Sequence, residues 1–205
     1  AQAASHVALD MQKLDADFYC FSAHKMFGPT GVGVLYGKEE ILNILPPYQG
    51  GGEMIETVSF KKTTYAGSPH KFEAGTPNIC GGIAFGAAID YMNSIGFEAI
   101  AAYEHELLEY ATKKLNDIKG MQIYGPKTDK TSVISFNIEG VHAYDLGTIV
   151  DKLGIAIRTG QHCAQPIMDF FKVSGTARAS FCFYNTKQEI DTFVEGVKKA
   201  AMMLR

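Results

Sequence analysis

The stretch SAHKMFGPTG, residues 22–31, separates two apolar runs and places a single lysine between them. Residues 18–21 form the run before it, and residues 32–36 form the run after it. Short apolar runs that are rich in aromatic and β-branched residues and bounded by glycine and proline are typical of buried strands. The pattern therefore predicts two buried strands with Lys25 on the connection between them.

Lys25 has two interpretations. A lysine between strands is ordinarily a solvated loop charge. Here Ser22 and His24 can both donate hydrogen bonds to an anion beside the amine, and the glycines that follow allow close approach of the backbone. That grouping suits a lysine that forms a Schiff base with a phosphate-bearing aldehyde such as pyridoxal phosphate.

Composition indicates an ordinary globular protein. The chain has 205 residues, 46% of them hydrophobic, and a formal net charge of −3. There is no basic block of the kind that binds nucleic acid, and no apolar run approaches the roughly 20 residues that span a bilayer. We therefore expect no nucleic acid partner, no membrane and a cytoplasmic location. The start, Ala1-Gln2-Ala3-Ala4, lacks an initiator methionine and leads us to expect a fragment.

The four cysteines show neither paired CxxC spacing nor the density of a disulfide scaffold. We predict no metal site. Cys20 and Cys182 lie among apolar residues, so we expect both to pack as small hydrophobic side chains. Cys80, at a predicted helix start, is also expected to be structural.

Periodicity along the chain predicts an α/β piece followed by a small α+β lobe, with the boundary near Gly96. Two irregular segments, residues 49–53 and 72–78, precede that boundary, and each could be a flexible connector. Glu104, Glu106 and Glu109 are expected on the solvated face of a long helix. The predicted helices cover residues 38–45, 82–95, 98–118, 143–153 and 187–202, and the later strands cover residues 121–124, 133–138 and 155–158.

The segment RTGQHCAQP, residues 158–166, leaves a predicted strand and turns through glycine to present Cys163 beside His162. A nearby cation can stabilise a thiolate, and a loop makes the sulfur accessible. Cys163 is therefore a candidate nucleophile. The alternative, a structural cysteine, stays open because neighbours in sequence need not face each other.

Two arginines lie in predicted strands. Arg178 is flanked by small residues in Thr176-Ala177-Arg178-Ala179-Ser180, where an arginine is costly unless it is paired. Its planar guanidinium could bind a substrate carboxylate, or it could form an internal salt bridge with an acidic side chain. Arg158 has the same two interpretations.

Taken in order, the segments 22–33, 49–55, 72–78, 158–166 and 176–180 resemble the SUF-type cysteine desulfurases, also called selenocysteine-lyase-like enzymes. The resemblance spans almost the whole chain. These enzymes belong to the class V aminotransferase group with fold type I. The resemblance implies that residues 1–95 are the carboxy-terminal part of the large domain that binds pyridoxal phosphate, and that residues 96–205 are a small α+β domain carrying the cysteine loop.

The resemblance also assigns the cofactor contacts. It makes Lys25 the Schiff-base lysine and places Ser22 and His24 on the cofactor phosphate. Gln2 would bond the phenolic oxygen, and Thr76 would reach the phosphate bound by the other subunit of a homodimer. Residues 49–55 would form a hairpin near the active site of that dimer.

The implied reaction converts L-cysteine to L-alanine. Cys163 would accept the sulfur as a persulfide, while Arg178, with Arg158, would bind the substrate. The persulfide would pass to an acceptor protein of the SufE or SufU kind for iron–sulfur cluster assembly, and selenocysteine is a possible second substrate. Gln161 departs from the family pattern, since some relatives carry histidine there.

Two other functions remain open. The protein could be another class V lyase or aminotransferase in which Cys163 is incidental. It could also be a noncatalytic fragment that keeps only dimer or acceptor-binding surfaces. The family's aspartate that pairs with the pyridine nitrogen would precede Ala1, so we expect the chain alone to be inactive.

Overall fold

The computed structural model describes residues 1–205, which form two compact units, Ala1–Glu98 and Ala99–Arg205. None of the seven α-helices combines the length and the apolar character that a membrane span needs. The helices are α1 (Met11–Leu14), α2 (Glu39–Ile44), α3 (Ile79–Ile95), α4 (Phe97–Asn116), α5 (Ala143–Lys152), α6 (Gln165–Phe171) and α7 (Lys187–Leu204). The strands are β1 (Phe18–Ser22), β2 (Gly33–Gly37), β3 (Ile55–Val58), β4 (Thr63–Tyr65), β5 (Met121–Tyr124), β6 (Val133–Ile138), β7 (Arg158–Gly160) and β8 (Thr176–Ser180).

The first unit is built on the antiparallel ribbon of β1 and β2, in which Cys20 is paired with Leu35. The two strands lie within a residue of their predicted bounds, but the prediction that they are buried is wrong. Leu35 is 63% exposed, and Cys20 is exposed too, so Cys20 does not pack as a core side chain. In this chain the ribbon has only two strands, and its apolar residues cannot all face the small cluster of buried residues in the unit. That cluster consists of Ala4, Ala23, Met26, Phe85 and Met92.

The two irregular segments of the first unit lie against each other. The Gly75 N–H donates to the Gly52 carbonyl at 2.9 Å, and a Cβ at Gly51 would come within 3.0 Å of the Ala74 Cβ. Glycine at position 51 therefore permits this close approach. The predicted hairpin is displaced, because its strands are β3 and β4 and residues 49–54 only lead into it.

Lys71 connects α2 to the segment that follows the hairpin. Its side chain is buried, and its Nζ donates to the carbonyl oxygens of Asn43 at 3.0 Å and Leu45 at 2.9 Å. These carbonyls lie at the end of α2, where helical backbone acceptors have no partner within the helix. The charge therefore satisfies acceptors that would otherwise be unpaired.

The second unit contains an antiparallel sheet with the strand order β5-β6-β8-β7. Along β6 the side chains alternate, and Ile134, Phe136 and Ile138 face the core while their neighbours are half-buried. Helices α4, α5 and α7 contribute most of the other buried residues of this core, and Ala177 and Ala179 of β8 also belong to it. Strands β5 and β6 match their predicted bounds, whereas β7 begins at Arg158, three residues after the predicted start.

Glu104 does not lie on a solvated face as predicted, although Glu106 and Glu109 are exposed. Its side chain is 3% exposed and accepts hydrogen bonds from the Ser132 hydroxyl at 3.3 Å and the Phe183 N–H at 3.2 Å. A buried carboxylate needs such donors. Because both partners are far away in the sequence, helical periodicity could not reveal them.

We predict that Phe136→Ala lowers the free energy of unfolding by about 3 to 5 kcal/mol, since it removes a fully buried ring and leaves a cavity. Urea denaturation followed by circular dichroism measures the change. The matched control is Phe60→Ala, at a fully exposed phenylalanine, which should alter the free energy by no more than about 0.5 kcal/mol. Equal losses in the two variants would contradict the assignment of the core.

Candidate active site

Lys25 ends a short 3₁₀ turn, Ala23–Lys25, that follows β1 directly. The Ala23 N–H donates to the Val32 carbonyl at 3.0 Å, and the Gly28 N–H donates to the Ala23 carbonyl at 2.9 Å. Ala23 is fully buried, whereas His24 and Lys25 are exposed. The turn is thus anchored by its first residue and presents the imidazole and the amine at the surface.

The polar groups of this turn are available to a ligand. Ser22 precedes the turn but does not use its hydroxyl as a cap, and the Lys25 amine forms no ion pair. Gly28 also permits close packing within this unit. A Cβ there would lie 2.8 Å from the Phe85 ring and 3.1 Å from the Ala23 Cβ.

Gln2 and Thr76, the other two predicted cofactor residues, are exposed residues of the same unit. Gln2 precedes the 3₁₀ turn Ala3–Ser5, and its carbonyl accepts a hydrogen bond from the Ser5 hydroxyl at 3.2 Å. Thr76 lies two residues before Asn78, whose side chain caps α3 by accepting from the Gly81 N–H. The role of each in cofactor binding stays a prediction.

Cys163 occupies a tight turn between β7 and α6. Both His162 and Cys163 have left-handed backbone conformations, with φ of 57° and 59°, and the Ala164 N–H closes the turn on the Gln161 carbonyl at 2.9 Å. Such a conformation costs roughly 1–2 kcal/mol for each residue that is not glycine. Cys163 is exposed, and the Arg158 Nη2 donates to its sulfur at 3.3 Å.

The buried Cys182 contrasts with Cys163. Burial, with a hydrogen bond to Glu104, raises the pKa of the Cys182 thiol to about 12. This cysteine therefore stays a protonated, packed side chain, as predicted. Of the two cysteines, only Cys163 is exposed next to a cation.

His162 turns its ring inward. Its Nε2 lies 2.9 Å from the Thr176 hydroxyl oxygen and 3.1 Å from the Thr176 carbonyl oxygen. Burial is the main cause that lowers the pKa of His162, and the Arg178 and Arg158 charges lower it further. The imidazole is therefore held in its neutral form.

Arg158 and Arg178 are Cα partners in the antiparallel pair β7–β8. Neither forms an ion pair with an acidic side chain, which excludes the internal salt bridge as the role of either arginine. Arg178 is half-buried, and its Nε has no hydrogen-bond partner. Burial first, and then the Arg158 charge, lowers the pKa of Arg178. Two neighbouring guanidinium groups without an acidic partner have the charge and the free donors that suit an anion.

The structure thus gathers the predicted site residues into two groups. Ser22, His24 and Lys25 share one turn of the first unit. Arg158, Cys163 and Arg178 lie on two paired strands and the adjoining turn of the second unit. Sequence reasoning missed Thr176, because the burial of its hydroxyl is evident only in the structure. No group of three or more histidine, cysteine or acidic side chains is arranged to hold a metal ion.

Comparison with known proteins identifies relatives over the full chain. Residues 1–193 match the family model described as aminotransferase class-V. A probable cysteine desulfurase of Streptomyces coelicolor is 51% identical over 97% of this chain and 48% of its own length. A cysteine desulfurase of Enterobacter sp. strain 638 is 51% identical over 100% of this chain and 50% of its own length. The chain therefore spans about half the length of these curated relatives.

Solved structures of cysteine desulfurases are also similar to this chain. The cysteine desulfurase CsdA from Escherichia coli superposes with a TM-score of 0.96 at 41% identity and covers 100% of this chain and 51% of its own. The apo cysteine desulfurase from Thermococcus onnurineus NA1 gives a TM-score of 0.95 at 40% identity and covers 100% of this chain and 52% of its own. These matches confirm the predicted α/β fold class. The chain belongs to the class V aminotransferase family.

Proposed function

We propose that the protein containing this chain is a pyridoxal-phosphate-dependent cysteine desulfurase that converts L-cysteine to L-alanine. The observation that carries the proposal is the arrangement around Cys163. An exposed thiol accepts a hydrogen bond from Arg158, and Arg158 is paired across two strands with the uncompensated Arg178. A nucleophile and an anion site on the same strand pair suit a substrate that carries both a sulfur and a carboxylate.

The lysine turn fits the cofactor by the chemistry of its donors. It offers an exposed amine without an ion pair, a hydroxyl that is not used in capping and an exposed imidazole. These groups would hold the aldehyde carbon and the phosphate of pyridoxal phosphate through Lys25, Ser22 and His24. When bound, the cofactor supplies an electron sink for bond changes at the substrate α-carbon. Gln2 and Thr76 complete the proposed set.

Each residue has a defined task in the proposed reaction. Arg178 binds and orients the substrate carboxylate through its planar guanidinium. Lys25, as an amine, accepts and returns the proton of the α-carbon. Arg158 donates a hydrogen bond to the Cys163 sulfur and orients it, and the sulfur would react as the thiolate, which is the nucleophilic form.

Cys163 carries out the sulfur transfer. Its thiolate attacks the sulfur of L-cysteine, so that a sulfur–sulfur bond forms and the carbon–sulfur bond of the substrate breaks. The carbon keeps the electron pair of the broken bond and takes up a proton, which gives alanine. Cys163 is left as a persulfide, and the balance needs no external oxidant or reductant.

The proposal extends to partners and location. The exposure of Cys163 supports transfer of the persulfide to an acceptor of the SufE or SufU kind for iron–sulfur cluster assembly. A homodimer would let Thr76 reach the phosphate bound by the other subunit. In this proposal residues 1–95 belong to the cofactor-binding domain, residues 96–205 form the cysteine-loop domain, and the enzyme works in the cytoplasm.

We predict that borohydride reduction fixes one pyridoxal phosphate on Lys25, and that the adduct is absent from Lys25→Ala. Peptide mass spectrometry of the reduced protein measures it. Cys163→Ser should keep the adduct but lower alanine release on the order of 10³-fold or more, since it removes the nucleophile. Cys80→Ser, at another exposed cysteine, serves as the control. Undiminished alanine release by Cys163→Ser would instead favour another class V lyase or aminotransferase.

A second prediction separates the two arginines by steady-state kinetics with L-cysteine. Arg178→Lys should raise KM about 10- to 100-fold, because a bidentate hydrogen bond to the carboxylate is lost. Arg158→Lys should lower kcat more than it raises KM, because Arg158 contacts the sulfur of Cys163. Arg205→Lys is the control, because Arg205 donates to the Lys119 carbonyl and contacts neither Cys163 nor the paired arginines. The same change in KM for both variants would contradict the division of roles.

A further inference from the structure

The ring of His162, in the turn after β7, is held by one residue of β8. Its Nε2 faces both oxygens of Thr176, at 2.9 Å and 3.1 Å. Thr176 is the first residue of β8 and is fully buried. The contact therefore connects the cysteine turn to the strand that carries Arg178, two residues further along.

The partners of the ring determine its tautomer. A carbonyl oxygen can only accept a hydrogen bond, so the nitrogen that faces the Thr176 carbonyl must carry the proton. The Nδ1 atom is buried and has no partner. An unpaired lone pair on Nδ1 has a lower free-energy cost than a protonated Nδ1, because protonation would place a buried positive charge near Arg178 and Arg158. The neutral ring with its proton on Nε2 is therefore the form that fits.

The backbone of the turn requires such an external contact. His162 and Cys163 are consecutive left-handed residues, and neither is glycine. Strained conformations of this kind persist where the surrounding structure holds them. The Ala164–Gln161 hydrogen bond closes the turn. Two side-chain contacts connect the left-handed pair to the sheet, Cys163 to Arg158 on β7 and His162 to Thr176 on β8, and only the second fixes the pair to the strand that carries Arg178.

We propose that neutral His162 is a positioning residue whose Nε2–H holds the left-handed turn of Cys163 against the start of β8. It thereby keeps the Cys163 sulfur at the Arg158 guanidinium, whose strand pairs with the strand of Arg178. His162 contacts neither the sulfur nor a substrate in this role. The inference rests on the proposed function for its kinetic consequence, but its structural part can be tested without turnover.

The first readout is alkylation of Cys163 by iodoacetamide in the cofactor-free form of the protein that contains this chain, quantified by peptide mass spectrometry. His162→Phe keeps an aromatic ring but lacks the donor, so the sulfur should lose its contact with Arg158. We expect the alkylation rate to fall about 2- to 10-fold, the range for one hydrogen bond. His162→Gln, whose amide can reach Thr176, should restore most of the rate.

Two further variants separate the hydrogen bond from the backbone conformation. His162→Asn favours the left-handed conformation but is too short to reach Thr176, so it should behave like His162→Phe. Thr176→Val removes the hydroxyl but keeps the carbonyl, so as a single change it should slow alkylation less than His162→Phe does, and it should add little when combined with His162→Phe. His105→Phe, at an exposed histidine of the same unit, is the control. Circular dichroism of each variant checks that the fold is intact.

The second readout is turnover of L-cysteine by the cofactor-loaded protein. A positioning role predicts that His162→Phe lowers kcat while KM changes less than about 2-fold, because Arg178 is untouched. An impairment of His162→Gln equal to that of His162→Phe, or a wild-type alkylation rate in His162→Asn, would overturn the inference. If the wild-type protein formed no alanine while alkylation followed the expected order, the proposed function alone would fail.

A pH dependence gives a third readout. The groups that face the ring are Arg178 on β8, Arg158 on β7 and the two oxygens of Thr176. Because burial and the arginine charges lower the pKa of His162 from 6.5, its contribution to stability is complete above pH 6.5 and is lost as the pH falls below that value. The urea midpoint of wild type should therefore fall more between pH 7.5 and 5 than that of His162→Gln. Equal falls would contradict a neutral, half-buried His162.

Discussion

The pairing of β7 with β8 is the constraint on which the candidate site depends. It places Arg158 opposite Arg178 with no acidic side chain to neutralise either guanidinium. Like charges directly across a strand pair destabilise a sheet. Stability of the sheet therefore does not explain the arrangement, whereas the proposed binding of a substrate carboxylate would offset the repulsion between the two groups. Other contacts in the second unit hold these two strands close together, and they are features of the local backbone and of the cysteine turn.

Close backbone contact is one of those features. A Cβ at Gly175 would lie 3.0 Å from the backbone of Gly160, so the end of β7 and the start of β8 meet without side chains between them. Gly160 itself has φ of 112°, which other residues rarely adopt. The chain can therefore turn sharply after β7 into the cysteine loop. The same two glycines bring His162 within reach of Thr176.

The sequence predicted local elements well and tertiary partners poorly. Strands β5 and β6 have clear alternation and matched their expected bounds, because period two is a local signal. Residues 155–157 are apolar as well, but they form no ladder, and pairing with β8 begins only at Arg158. Whether a residue of β7 joins the ladder depends on a partner in β8 about twenty residues away in the sequence. Hydrophobic periodicity does not identify that partner. The buried Glu104 and the exposed Cys20 were mispredicted for the same reason.

The sequence predicted those candidate site residues whose own side chains are chemically reactive. Lys25 and Cys163 stand out because of their sequence neighbours, which are hydrogen-bond donors and glycines around the lysine and a histidine and an arginine near the cysteine. Thr176 does not stand out, since a threonine in a strand needs no explanation until its oxygens are seen to face an imidazole. A residue that acts by positioning another residue is recognised by its contacts in the structure, because its type alone does not indicate the role. Such positioning residues are therefore the part of a site for which a structure adds most to a sequence.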